Sequence, residues 1–286
     1  MKPVILEVCM SSSVQMMNSD EARQFVNDNK PDSFTLLDVR QDWEYEEFHL
    51  PGARHIPLPE LPDRMNEIES DKPVLVYCAV GGRSMAAASL LEGQDYPKVI
   101  NLVDGAMGWN GDVAFGPMEL GMIEFDGKET PVEMVLKSYA MEHALQQFYL
   151  DEKSKAQSKD RIELFDELAG FEDKHKDTLY TLYKRLVEGG APREPFEEQA
   201  LKTIGEAAEG GVVIQEFIDE YAGAFDTEEG VLQVAAMIEA QALDYYLRCA
   251  ARAQDSKTKD ILQLLAREER AHLKLLGRFM DKRSKD

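Results

Sequence analysis

The chain has 286 residues, 44% hydrophobic and 30% charged, enough to bury two cores and stay in water. Its 54 acidic residues outnumber 32 basic ones, a net charge of −22 that argues against nucleic acid and anionic membrane surfaces as partners. The excess is shared: residues 1–118 carry 9 basic and 19 acidic side chains, so neither half is a basic arm. No apolar run approaches the roughly 20 residues of a membrane helix. The run Val4-Ile5-Leu6 is too short for a signal segment, so a cytoplasmic location is expected. The three cysteines, Cys9, Cys78 and Cys249, form no C-x-x-C pair, which argues against a disulfide framework or a thiolate zinc site.

In chain order, residues 4–9 read as a short strand or a flexible arm. Ser19-Asp20-Glu21 caps a helix that continues to Asn27. Phe34 to Val39 is a buried strand ending in the charged pair Asp38 and Arg40. Trp43, Tyr45 and Phe48 follow, then a turn at His49-Leu50-Pro51-Gly52-Ala53 and a short extended piece at 56–58. A helical stretch at 61–68 leads to the strand Val74–Tyr77, and Val99 to Val103 is a further strand before the turn Asp104-Gly105. Strands and helices alternating at this length predict a parallel α/β sheet, whose sites sit at the carboxyl ends of the strands. Asp38 and Cys78 both fall there.

The sharpest signal is Cys78 followed by Ala79, Val80, Gly81, Gly82, Arg83 and Ser84. An apolar strand ends at a lone cysteine, and small residues then lead into an alanine-rich helix over 84–92. Such a loop stacks backbone N–H groups around the sulfur at the positive end of a helix dipole. That setting favours the thiolate, which is the nucleophile. The alternative is a small buried cysteine in an ordinary strand-to-helix turn.

Leu37-Asp38-Val39-Arg40, Glu44-Tyr45, His49 to Ala53, Cys78 to Ser84, Asp104-Gly105 and Gly108-Trp109 occur in the order of a single rhodanese domain. Residues 12–112 resemble that family. The resemblance implies a sulfurtransferase in which Cys78 takes a sulfane sulfur from thiosulfate or a persulfide and passes it to a thiol or cyanide. It also implies that the six-residue loop suits sulfur substrates rather than phosphate, and that Asp38 and Arg40 hold the strand ends in place. Arg83 either binds the donor anion or pairs with a nearby acid. The family usually has a polar or basic residue after the cysteine, and here Ala79 and Val80 stand there.

Phe115-Gly116-Pro117 ends this domain, expected to span 1–118, and 119–130 read as an extended linker or short strand. From Pro131 to the end of the chain, long helices are predicted at 131–153, 160–187, 230–253 and 257–281. Shorter ones are predicted in the crossover at 195–208 and 213–225. Each long helix carries a glutamate on its apolar stripe: Glu142, Glu172, Glu239 and Glu269. Four buried carboxylates would cost several kcal/mol each unless paired, and a metal offsets the cost.

The pattern is duplicated. Glu172-x-x-His175 and Glu269-x-x-His272 place both side chains of each pair on one helix face. Glu142 precedes Glu172 by 30 residues and Glu239 precedes Glu269 by 30; Tyr149 and Tyr246 each follow their glutamate by seven. This is the donor set of dinuclear carboxylate helix bundles, suited to two irons or to iron and manganese. A single Glu-x-x-His is usually a solvated helix face; two in register point to a repeated hairpin.

Residues 131–282 resemble the rubrerythrin branch of the ferritin-like proteins. The resemblance implies a four-helix bundle with extra crossover helices. Glu172 and Glu269 would bridge the metals, Glu142 and Glu239 would cap them, and His175 and His272 would ligate one each. Tyr149 and Tyr246 would orient a ligand carboxylate, or only fill the core. Ala242 stands where rubrerythrins carry another glutamate, and there is no rubredoxin-type cysteine module, so an external electron donor is implied. The whole chain therefore reads as a sulfurtransferase fused to a dinuclear non-haem iron domain. The alternative is a di-iron oxidoreductase or peroxidase whose first domain delivers or senses sulfur. Both a monomer and a homodimer are compatible with six ligands on one chain.

Overall fold

A computed structural model describes residues 14–122, 125–187, 192–203 and 221–283. The expected strand at 4–9, Cys9 and the 213–220 part of the crossover helix lie outside the described residues. Two compact units form: one comprises residues up to 45 and 53–111, the other 46–52 and 112 onward.

The first unit holds five parallel strands: β1 (Gln15–Met17), β2 (Thr35–Asp38), β3 (Arg54–His55), β4 (Val74–Tyr77) and β5 (Val99–Leu102), in the order β1-β5-β4-β2-β3. β2, β4 and β5 are buried along their whole length, as continuous apolar runs require in a parallel sheet. Helix α1 (Ser19–Asp28) is capped by Asn18, one residue earlier than the sequence reading placed the cap. Asn18 Oδ1 accepts the Glu21 N–H while the Glu21 carboxylate accepts the Asn18 N–H, which closes a capping box. Helix α2 (Asp42–Glu47) follows β2, and α3 (Leu61–Arg64) precedes β4. Helix α4 (Gly82–Glu92) starts two residues before the expected position. Gly81 sets that start: at φ 88° it turns the chain into the helix, and a Cβ there would sit 2.2 Å from the Val103 carbonyl oxygen.

The second unit contains four long helices: α5 (Pro131–Lys155), α6 (Lys159–Leu186), α8 (Glu228–Arg252) and α9 (Ser256–Arg283), with the short α7 (Arg193–Ala200) in the crossover. α5 packs along α6 and α8 along α9, and α5 also meets α9. The ends are chemically marked. Thr130 and Glu133 form a capping box with Pro131 at the first helical position, and Ser158 and Thr227 cap α6 and α8. Val135, Leu179, Leu243, Leu262 and Leu265 belong to one apolar cluster; Leu145, Leu168, Leu232 and Leu276 belong to another.

Two features differ from the sequence reading. Residues 118–122 form turns rather than a strand, with Gly121 at φ 71° breaking any extended run. The turn at 49–52 belongs with the helices. His49 and Ala114 exchange two backbone hydrogen bonds of 2.8 Å, and the Asp244 carboxylate accepts the Gly52 N–H at 2.9 Å. Asp244, fully buried, also receives Arg248 Nε at 2.6 Å and lies 3.4 Å from His49 Nε2. The same Arg248 donates to the Met118 and Leu120 carbonyls, so one buried ion pair ties down two stretches of irregular chain, 49–52 and 118–120.

Candidate functional sites

Cys78 leaves the carboxyl end of β4, and its residue is 1% exposed. Val80 on the loop above it is 70% exposed. The loop is pinned from below: Ala106 N–H donates to the Cys78 carbonyl at 2.7 Å and Met107 N–H to the Ala79 carbonyl at 3.0 Å. Gly105 permits this approach, since a Cβ there would lie 2.4 Å from Ala79 backbone atoms. Ser84 Oγ lies 3.5 Å from the sulfur and 3.0 Å from the Gly81 carbonyl. Burial is the largest influence on the thiol and pushes it up. The Ser84 hydroxyl and the N–H groups of Ser84, Val80 and Gly81 together outweigh it, and the thiol ends below its ordinary range.

The loop's arginine is not free. Arg83 Nη1 and Nη2 each meet a Glu44 carboxylate oxygen at 2.6 Å, a bidentate fork. The Glu44 carboxyl lies below the usual range, first through this bond. Glu44 was legible only as part of a family motif; nothing in the sequence joins it to a residue 39 positions away. Asp38 and Arg40 form a second fork, both fully buried, through Arg40 Nε and Nη2 at 2.7–3.1 Å. Asp38 is in register with Tyr77, and Val39 N–H donates to the Tyr77 carbonyl at 3.1 Å. This pair therefore braces the strand end directly before Cys78. The buried Asn101 amide, 3.4 Å from the Gly81 carbonyl, is a further loop support that the sequence did not mark.

The six helical ligand candidates fall into two trios. In each, the donor atoms of Glu142, Glu172 and His175, or of Glu239, Glu269 and His272, lie within 4.8 Å of one another. Two donors on one metal at about 2.0–2.2 Å sit at most about 4.4 Å apart, so the trios need little contraction. His175 Nδ1 is 3.2 Å from Glu142 and 3.0 Å from Glu172; His272 Nδ1 is 3.5 Å from Glu239 and 3.0 Å from Glu269. The two imidazoles stack, with centroids 3.5 Å apart and planes at 7°, which sets the trios side by side. All four glutamates are buried, and Glu172 Oε2 and Glu239 Oε2 face their histidines without making a hydrogen bond of good geometry. Burial pushes the Glu172 carboxyl up. Burial opposes a charge on His175, yet Glu142 and Glu172 prevail and raise it to about 11. Buried carboxylates that draw in positive charge this strongly fit a cation. Tyr149 and Tyr246 are buried on α5 and α8. Cys249 is buried beside Met122, 3.7 Å away, and burial pushes its thiol up to about 12, as suits a core residue.

A parallel sheet with a lone cysteine cradled at the carboxyl end of a central strand defines a class of sulfur-handling domain. The family model for the rhodanese-like domain matches residues 18–112, and the chain belongs to that family. YrkF of Bacillus subtilis (strain 168) is 38% identical over 107 residues, which are 37% of this chain and 52% of YrkF. A protein named sulfurtransferase from Allochromatium vinosum is 38% identical over 74 residues, 26% of this chain and 69% of its own. Thiosulfate sulfurtransferase GlpE of Coxiella burnetii (strain RSA 331 / Henzerling II) is 34% identical over 80 residues, 28% of this chain and 75% of GlpE. The chain spans about half the length of YrkF. Among the described residues, no helix is long and apolar enough to cross a membrane.

Proposed function

We propose that the protein is a cytoplasmic sulfurtransferase in which Cys78 carries the transferred sulfur. The Cys78 thiolate attacks the sulfane sulfur of a donor, thiosulfate or a persulfide; the donor's S–S bond breaks and sulfite or a thiolate leaves. The resulting persulfide is held by the N–H groups of Val80, Gly81 and Ser84 and passes its outer sulfur to a thiol or cyanide. The observation that carries this reading is the cysteine whose thiol is lowered by three loop N–H groups and a serine, against the pull of burial. The relatives' names support the same chemistry. The test is mass spectrometry of donor-treated protein: a 32 Da adduct on Cys78, absent in Cys78→Ser, is the expected result, set by the mass of one sulfur.

We infer further that the helical unit is a ferritin-like domain holding two irons, or iron and manganese. Glu142, Glu172 and His175 would hold one metal, and Glu239, Glu269 and His272 the other, with Glu172 and Glu269 bridging. Bound there, the pair would supply one-electron redox chemistry, fed by an external electron donor. The chain's own contribution is a dry, anionic, pre-assembled cage. The duplicated spacing and the close approach of buried carboxylates and imidazoles in each trio support this reading. An oxidoreductase or peroxidase role, with the first domain supplying or sensing sulfur, rests on the same trios. Peroxide turnover retained in Cys78→Ser would favour it.

A further inference from the structure

The four most exposed large apolar side chains described are Val80 at 70%, Met107 at 69%, Trp43 at 65% and Met16 at 53%. Each lies on the Cys78 loop or beside a residue that touches it. Val80 is part of it. Met107 donates its N–H to the Ala79 carbonyl. Trp43 precedes Glu44, which grips Arg83. Met16 Sδ lies 3.9 Å from the Asn101 amide that also approaches the Gly81 carbonyl. Exposed apolar residues scattered singly need no explanation; a cluster around one reactive sulfur does.

The charge at the mouth points the same way. Arg83 is matched by Glu44 and Arg40 by Asp38, so neither guanidinium is spare. Counting Glu44, Arg83 and an ionised Cys78 leaves one net negative charge before any donor arrives. Asp42, next to Trp43 in the chain, is 79% exposed and lies 3.8 Å from His55 Nδ1. A dianion such as thiosulfate meets that net charge there, and Arg83, the cation that faces the Cys78 sulfur, is already shared with Glu44. An apolar, weakly acidic rim instead complements a polypeptide with apolar and basic residues around its reactive cysteine.

Resting on the sulfurtransferase reading above, we propose that the physiological donor is a cysteine persulfide displayed on another protein, docked on Trp43, Val80, Met107 and Met16. The Cys78 thiolate attacks the outer sulfur of the donor's R–S–SH, which moves with its proton. One S–S bond forms on Cys78, the donor's S–S bond breaks, and the donor leaves as a thiolate. Two thiolate-level sulfurs exchange places, so no outside oxidant or reductant is needed.

Three donors are compared on the full chain: thiosulfate, glutathione persulfide, and the persulfide of the synthetic peptide acetyl-Lys-Phe-Cys-Leu-Lys-amide. The peptide persulfide is expected to show the highest kcat/KM. The double variant Trp43→Ser/Met107→Ser is expected to lower the peptide value about tenfold through KM. It should leave thiosulfate and glutathione persulfide within about twofold. Both side chains are exposed, and circular dichroism checks that the fold is kept. Thiosulfate or glutathione persulfide equalling the peptide, or an equal loss for all donors, would overturn the proposal. A Cys78 persulfide formed from thiosulfate alone would overturn it while sparing the sulfurtransferase reading. No Cys78 persulfide from any donor would overturn both.

Discussion

Ser84 controls how much of Cys78 is thiolate at a given pH, because its hydroxyl and its N–H both face the sulfur. With the thiol lowered, the thiolate survives as pH falls below the ordinary range near 8.5, and transfer fails only as pH drops through the lowered value. Ser84→Ala is expected to move that acid limb to higher pH; each unit moved costs about tenfold in rate below it. A pH profile of persulfide formation reads this directly. Asp244 makes a stability statement of the same kind. Burial alone would push its carboxyl up, but Arg248, then His49 and the Gly52 N–H, hold it below the usual range. A depressed carboxyl contributes stability that is complete above its unfolded value of about 3.9 and is lost as pH falls toward the folded one. Asp244→Asn should therefore cost about 3–5 kcal/mol at pH 7, leaving Arg248 buried without its anion. Its urea-unfolding stability should also vary less between pH 5 and 3 than that of the native chain.

The helical hairpins α5–α6 and α8–α9 each deliver one trio, and the trios meet through the stacked His175 and His272 rings. Cation binding at such a site stabilises the helical unit by mass action, about 2.7 kcal/mol at a hundredfold excess over Kd. Chelation is expected to lower the melting temperature of the helical transition, and adding Fe(II) or Mn(II) should restore it. Glu172→Ala should abolish the restoration and reduce bound metal, measured by elemental analysis, to one ion or fewer per chain. Metal-independent melting, with no metal after reconstitution, would sink the dinuclear reading. Cys78→Ser should leave the helical transition and its metal response unchanged, since Cys78 belongs to neither trio.

At the scale of the molecule, the proposed reading puts two chemistries on one chain. Coupling between them is testable with His272→Ala. If the helical centre protects or serves the thiolate, this variant should lose sulfur-transfer activity several-fold faster than the native protein under hydrogen peroxide, with equal rates under anaerobic conditions. Equal loss in both proteins would show two independent activities joined only by the backbone.

Much was legible from local pattern. Continuous apolar runs marked β2, β4 and β5; the three-and-four spacing marked the long helices; small residues after Cys78 marked the loop. The register of Glu142, Glu172, His175, Glu239, Glu269 and His272 was visible because a helix converts spacing into a shared face. What stayed hidden were pairings across long stretches of chain. Glu44 neutralises Arg83 from 39 residues away, and Asp244 binds the Gly52 N–H from 192 away. Either arginine or aspartate has many oppositely charged candidates in so acidic a chain, and only packing selects one. The sequence alone thus determined which elements form and which reactive groups each presents, because those depend on near neighbours. The folded structure alone decided which charges cancel: Arg83 meets both Glu44 and the Cys78 sulfur, so it brings no net positive charge to the loop.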